Sequence, residues 1–299
     1  MNHAIIDVGS NTIRFSVYEC RGEEISTLVS KKTTAGLAGY VENGALSQAG
    51  IDRCIAVLAL YRRILGHFDL ASLNVFATAS LRNIENTDEA VEQIRAATGL
   101  EVEVILGREE AELDFIGAAR SMELSEGLLV DIGGGSTELV SYRGGSTLAA
   151  ASVGLGSLRL YSDRVAALFP EKEERRAIRR AVEERLDALP EFEGFACREV
   201  CGVGGTIRGA CKLYNYAAGA GPENRTLPVA ELKELLHRFR NPDKRALQAI
   251  LRTIPDRIHT ILPGLIALRA IVERFGCETI HVSPFGAREG YLIDRVLNG

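Results

Sequence analysis

Residues 130–139 read Val130-Asp-Ile-Gly-Gly-Gly-Ser-Thr-Glu-Leu139: an apolar strand ending in Asp131, the three glycines Gly133, Gly134 and Gly135, and a return through Ser136, Thr137 and Glu138. Glycines at consecutive positions let the backbone fold back and present successive N–H groups to one point. Such a nest binds an anion, with phosphate the common guest. The bland alternative is a plain hairpin, for which a two-residue turn suffices. A weaker copy stands at Asp7-Val-Gly-Ser-Asn-Thr12, where Ser10, Asn11 and Thr12 replace glycines after Gly9. Both copies carry Gly two residues and Tyr eleven residues after the Asp (Gly9 and Tyr18, Gly133 and Tyr142), and both sit between apolar segments. Duplication explains the shared context better than chance. It implies two related α/β halves with a ligand cleft between them, and two loops that grip a phosphate chain from both sides.

Outward from these turns, the pattern supports that architecture. Ile13, Phe15 and Val17 alternate with polar neighbours, as in a strand. A helix is expected after Ser47, with Ile51, Ile55, Leu58, Ala59 and Leu65 on one face and an end near Gly66. Strands at 73–77 and 102–106 alternate with helices at 88–98 and after Gly107. From Gly127 the pattern restarts with strands at 128–130, 137–142 and 147–152, then a strand–glycine turn–helix unit at 200–212. The last third reads as mostly helical, with a strand at 279–282 and a final helix at 287–297. The expected domains are 1–121 and 122–299, the last helix returning toward the first.

Composition narrows the class. The 299 residues are 46% hydrophobic and 25% charged with 8 prolines, which excludes a disordered or collagen-like chain. A net charge of −5, split as −6 before residue 121 and +1 after, offers no positive field for nucleic acid or an anionic membrane. The six cysteines have no C-x-x-C spacing, and the closest pair, Cys197 and Cys201, lacks a histidine partner, so buried thiols are expected rather than a zinc site. Met1 runs almost directly into an apolar strand without a basic n-region, and the apolar stretch from Ile258 is broken by Pro263 and Arg269. A cytoplasmic location with no membrane partner is expected. No P-loop, dinucleotide fingerprint or Gly-x-Ser-x-Gly elbow occurs.

Acids and arginines near the turns are the chemical candidates. Asp131 and Asp7 end strands beside the glycine loops, a position suited to a hydrated Mg²⁺ that bridges phosphate oxygens. Glu138, on the returning strand, reaches toward the same ion. Gly107-Arg-Glu-Glu-Ala111 opens a helix, where an acid commonly complements the helix dipole. It also suits a general base aimed at water, and spacing leaves Glu109 and Glu110 open. Arg82 and Arg288 stand at loop positions that suit a phosphorylated substrate, though a lone arginine is more commonly a plain surface charge. Arg175, Arg176, Arg179 and Arg180 alternate with glutamates and read as a solvated helix face.

Together these segments resemble the exopolyphosphatase / guanosine pentaphosphate phosphohydrolase family of the actin-like, sugar-kinase and Hsp70 fold. The matching pieces are Ile6–Thr12, Ala77–Asn83 with Asn86, Gly107–Ala111, Val130–Leu139, Gly202–Thr206 and Val282-Ser…Arg288-Glu-Gly290, in the family's order. The resemblance implies two actin-like, ribonuclease H-like α/β domains around a central cleft. It makes Glu110 the general base, and Asp131 and Glu138 the Mg²⁺ ligands with Asp7 nearby. The two phosphate loops are then Gly9, Ser10, Asn11 and Thr12, and Gly133, Gly134, Gly135 and Ser136. Arg82 corresponds to the arginine gripping the terminal phosphate, with Arg288 a further contact. The expected reaction is removal of terminal phosphate from inorganic polyphosphate. Guanosine pentaphosphate is the alternative substrate, an ATP-binding switch the alternative class, and family habit points to a homodimer. The chain looks like the short two-domain form. Glu112 and Gly36 stand where members often have basic or polar residues, which weighs against tight binding of long polyphosphate.

Overall fold

The computed structural model describes residues 1–22, 24–239 and 244–298. By its internal contacts the chain divides into two compact units: Met1–Glu110 with the residues from Tyr291 onward, and Ala111–Gly290.

In the first unit β1 (Asn2–Val8), β2 (Thr12–Arg21) and β3 (Glu24–Thr34) form an antiparallel meander, and a small hairpin, β4 (Val41–Glu42) and β5 (Ala45–Leu46), follows. β6 (Ser72–Ala77) and β7 (Val102–Val104) then pair in parallel beside β1, giving the sheet order β3-β2-β1-β6-β7. Central β1 buries Ala4, Ile5, Ile6 and Val8 completely, as a strand covered on both faces must. Edge strand β3 is mostly exposed and carries Lys31 and Lys32, charges that discourage pairing with another chain.

Helix α1 (Gln48–Leu65) starts at Ser47 and stops at Gly66, as its sequence predicts. Its buried face differs from the expected one: Cys54, Val57 and Tyr61 join Ile51, Leu58 and Leu65, while Ala59 is exposed. The Tyr61 hydroxyl explains its place inside, because it donates to the carbonyl of Ile13 at 3.0 Å. Short α2 (Ala79–Arg82), α3 (Thr87–Thr98) and α4 (Gly107–Ser121) complete the run, α3 ending on Gly99 at a left-handed φ of +65°.

In the second unit β8 (Glu126–Ile132), β9 (Thr137–Arg143) and β10 (Ser146–Val153) repeat the meander, followed by α5 (Ser157–Arg164) and α6 (Lys172–Asp187). β11 (Glu199–Val203) leads into α7 (Gly204–Ala218), and β12 (Thr226–Pro228) precedes α8 (Val229–Arg238), α9 (Lys244–Thr253) and α10 (Ile261–Arg274). β13 (Thr279–Val282) and α11 (Ala287–Tyr291) close the unit, the chain continuing as a π-helix over Leu292–Leu297. The sheet order is β10-β9-β8-β11-β13-β12, with β8, β11 and β13 parallel. Without the added edge strand β12, this order repeats that of the first unit strand for strand. The duplication read from two aspartate–glycine turns is therefore a duplication of whole sheets, and each unit is an α/β layer structure.

Glycines lock α4 to the start of α11 in the second unit. A Cβ on Gly117 would lie 2.2 Å from the carbonyl oxygen of Gly286, and one on Gly290 would lie 1.8 Å from that of Leu113. Backbone atoms cannot swing aside as a side chain does. Gly117→Ala is expected to cost stability at the upper end of the about 1–3 kcal/mol typical of overpacking, read as a lower midpoint in denaturant titration. A wild-type midpoint would show that the two segments separate at no cost.

All six cysteines are free. In space the close pair is Cys197 and Cys277, with sulfurs 3.7 Å apart, while Cys201 lies against Met122. Among the described residues no group of three or more His, Cys, Asp or Glu side chains converges as a metal cage, and no helix is long and apolar enough to cross a membrane.

Candidate active site

The two glycine turns close in the same way. Gly9 N–H donates to the Thr12 carbonyl at 3.1 Å, and Gly133 N–H to the Ser136 carbonyl at 3.0 Å. A Cβ at either glycine would approach that carbonyl to 3.0 and 3.2 Å respectively, so tightness at this first position selects glycine. Both loops also turn carbonyl oxygens toward the protein. Asn11 O accepts from Ala35 and Gly36 N–H, and Ser10 O from Ala38 N–H. In the second unit Gly133 O accepts from Ser157 N–H, and Gly134 O from Leu158 and Arg159 N–H at the start of α5. With carbonyls committed inward, the N–H side of each loop is the side suited to an anion.

The second and third glycines of the run have a different reason to be small. Gly134 and Gly135 form the bend itself, both half-buried, before Ser136 turns inside at the start of β9. Gly156, just before α5, packs directly on them. A Cβ on Gly156 would lie 2.3 Å from the Gly134 carbonyl oxygen and 2.5 Å from the Gly135 nitrogen. Gly135 is thus part of the loop as the sequence predicts, and the backbone of a distant glycine holds it from one side.

The first unit brings two of the expected residues together. Arg82, at the end of α2, donates from Nη1 to Oε2 of Glu110 at 2.8 Å and to the Ile105 carbonyl at 3.1 Å. Both side chains are only 13% exposed, so the pair is held with little solvent screening. Glu109 is occupied elsewhere. Its Oε2 accepts from Leu106 N–H at 2.7 Å, the reach-back of a helix cap, and its Oε1 pairs with Arg295 at 3.1 Å. The neighbouring glutamates, open alternatives by spacing alone, thus separate into a cap and a carboxylate presented to an arginine. Asp7 lies opposite Arg14 in the β1–β2 register.

In the second unit Asp131 and Glu138 stand directly opposite each other across β8 and β9. Glu138 is buried and its Oε1 accepts from Ser152 Oγ at 2.8 Å. Two carboxylates on facing positions repel unless a cation lies near. The all-oxygen donor set suits a hard cation that keeps part of its water shell, which fits Mg²⁺ better than a soft metal. Gly204, at the start of α7, packs against Asp131. It has φ +76°, and a Cβ there would sit 1.8 Å from Asp131 Oδ1. The Asp131 carboxylate occupies the space that any other residue's side chain would fill.

Arg288 and Asp131 both act on the charge of Arg208, on the first turns of α7. The Arg208 guanidinium is pushed below its ordinary value, first by burial and then by the charges of Arg288 and Arg257, while Asp131 and Glu289 oppose the shift. Arg257 reaches over Gly205, where a Cβ would meet its Nη2 at 1.9 Å. Arg208, Arg257 and Ser152 are absent from the sequence-predicted set. Arg208 is one turn beyond a glycine-started helix, a usable signal, whereas nothing local marks Arg257 or Ser152.

Comparison with known proteins bears on the family and the fold. The family model described as the Ppx/GppA phosphatase family matches residues 16–299. Exopolyphosphatase 1 of Mycobacterium tuberculosis is 27% identical over 307 residues, covering 99% of this chain and 88% of that protein. The crystal structure of the Aquifex aeolicus Ppx/GppA family member superposes with a TM-score of 0.81 at 26% identity, covering 100% of this chain and 98% of that one. An exopolyphosphatase structure from Cytophaga hutchinsonii shares the fold with a TM-score of 0.90 at 22% identity, over 100% and 98% of the two chains. Repeated sheets, matched glycine turns and a family match across nearly the whole chain lead to one conclusion: the chain belongs to the Ppx/GppA phosphatase family and is an enzyme, a phosphoanhydride hydrolase.

Proposed function

We propose that this protein is a cytoplasmic, Mg²⁺-dependent exopolyphosphatase that removes terminal phosphate from inorganic polyphosphate by attack of an activated water. The observation that carries the reading is the division of labour at the start of α4, where Glu109 caps the helix and Glu110 is held by Arg82. A carboxylate oriented by a charge-assisted bond is prepared to take a proton from water as the water attacks. Arg82 then has a second use, in drawing the terminal phosphoryl oxygens toward the base. The Gly9–Thr12 and Gly133–Ser136 backbones bind phosphate oxygens through their N–H groups. Asp131 and Glu138 hold the Mg²⁺, while Asp7, the third acid expected from its place at a strand end, has Arg14 opposite it instead of a second acid. When bound, the ion neutralises charge on the phosphate chain. Phosphoryl transfer needs positioning and charge neutralisation more than a protein nucleophile, so the absence of a serine or cysteine constellation in the sequence fits the reaction. The relatives named exopolyphosphatase support polyphosphate as the substrate.

The test is phosphate release with Mg²⁺ from long-chain polyphosphate, guanosine pentaphosphate and ATP side by side. Release is expected to be fastest from polyphosphate, to vanish in excess chelator and to return with Mg²⁺. Faster release from guanosine pentaphosphate would move the substrate assignment to that nucleotide. Full activity in chelator would remove the ion from the reaction.

A further inference from the structure

The arginines on α6 do more than face solvent. Lys172, Arg175, Arg176 and Arg179 share one face of that helix, and they line a cavity of about 290 Å³ with Lys233 of α8 and Arg269 of α10. His237 stands one turn beyond Lys233, and Leu236 and Ile266 form an apolar floor. Among the described residues no acid lines the cavity. Behind it a single carboxylate, Glu273, serves three of the cations: Arg179 at 2.8 Å, Arg269 at 3.0 Å and Lys233 at 3.5 Å. Glu183 pairs with Arg179 and Glu173 with Arg176, both from outside the lining. Burial pushes the Glu273 carboxyl up, but bonds to and charges of Arg269 and Arg179 bring it below its ordinary value.

Like charges drawn together from three helices repel one another, and a bound anion offsets that repulsion. The volume is at the small end of ligand pockets, about 300–1,000 Å³, which suits a short polyanion that can meet cations from all three helices. Arginine forks match phosphate oxygens in pairs, as a carboxylate-lined or apolar pocket does not. None of the residues assigned to hydrolysis lines this cavity. We propose that the α6–α8–α10 cavity is a second anion site that takes a linear oligophosphate, inorganic or the 5′ chain of a nucleotide.

The test needs no turnover, so its failure is distinct from a failure of the hydrolytic assignment. Tripolyphosphate and, separately, guanosine 5′-triphosphate are titrated calorimetrically into the full chain in excess chelator. The comparison is with Arg176→Glu/Lys233→Glu, two exposed positions whose reversal should leave the thermal midpoint near wild type. Tripolyphosphate binding is expected to weaken about tenfold or more in the variant, a change of about 1.4 kcal/mol or more, and to weaken further with added salt. An equal effect on the nucleotide assigns recognition to the phosphate chain from either source, and an effect on tripolyphosphate alone restricts it to the inorganic chain. Superimposable wild-type and variant isotherms would overturn the site. So would equal weakening for orthophosphate and sulfate, which marks a generic charge cluster.

Discussion

Glu110→Gln is expected to cut phosphate release by about 10²–10⁴-fold, the usual scale for loss of a general base. Glutamine has the same shape and keeps an oxygen that accepts from Arg82, so the loss is chemical. It no longer takes the proton that an attacking water must give up. Glu109→Gln is the matched control on the same helical turn. It weakens the cap at Leu106 and the pair with Arg295, which should cost about 1 kcal/mol of stability and leave turnover near wild type. Phosphate release by both variants, with thermal midpoints alongside, decides the matter. Near-wild-type turnover in Glu110→Gln, or equal loss in both, would take the base assignment away from Glu110.

Gly204→Ala is expected to lose activity by about 10²-fold or more, the scale seen when a reacting group is misplaced by about 1 Å. The added methyl meets Asp131 Oδ1 at 1.8 Å, so the carboxylate must leave its place opposite Glu138. Part of the effect is backbone strain, since Gly204 has φ +76°. The far end of the same helix supplies the control: Gly219 has φ +65°, and a Cβ there meets nothing within 4 Å. Gly219→Ala therefore carries the left-handed penalty of roughly 1–2 kcal/mol without the collision. If the two variants unfold at similar denaturant concentrations but only Gly204→Ala loses turnover, the Asp131 position is responsible. Equal activity in both would mean that Asp131 is not part of the machinery.

Much of the fold was legible because its signals are local. A strand that ends in aspartate, followed by glycine, announces a turn wherever the chain goes next. Periodicity over 48–65 marked α1 and its ends correctly. It misassigned part of the buried face, placing Ala59 inside and overlooking Tyr61, because burial of a phenol depends on its partner at Ile13. Edge strand β12 escaped notice: three residues ending in proline carry no strand period, and only pairing with β13 makes them one. Alternation with glutamate predicts a solvated face for the α6 arginines. That alternation is real, since Glu173 and Glu183 do pair with them, but Lys233 and Arg269 arrive from helices far along the chain.

By itself the sequence determined the duplicated α/β plan, the two glycine turns and the short list of acids beside them. Each of these depends on residues within a turn or two of one another, where chain geometry leaves few choices. Tertiary structure alone set Glu109 at the helix cap and Glu110 against Arg82, 28 residues earlier in the chain. It also decided that Asp131 needs a glycine at 204, that Gly134 and Gly135 need one at 156, and that scattered cations on α6, α8 and α10 line one cavity. Packing and charge act through space at a few ångströms, and which residues come that close is a property of the folded sheets and helices.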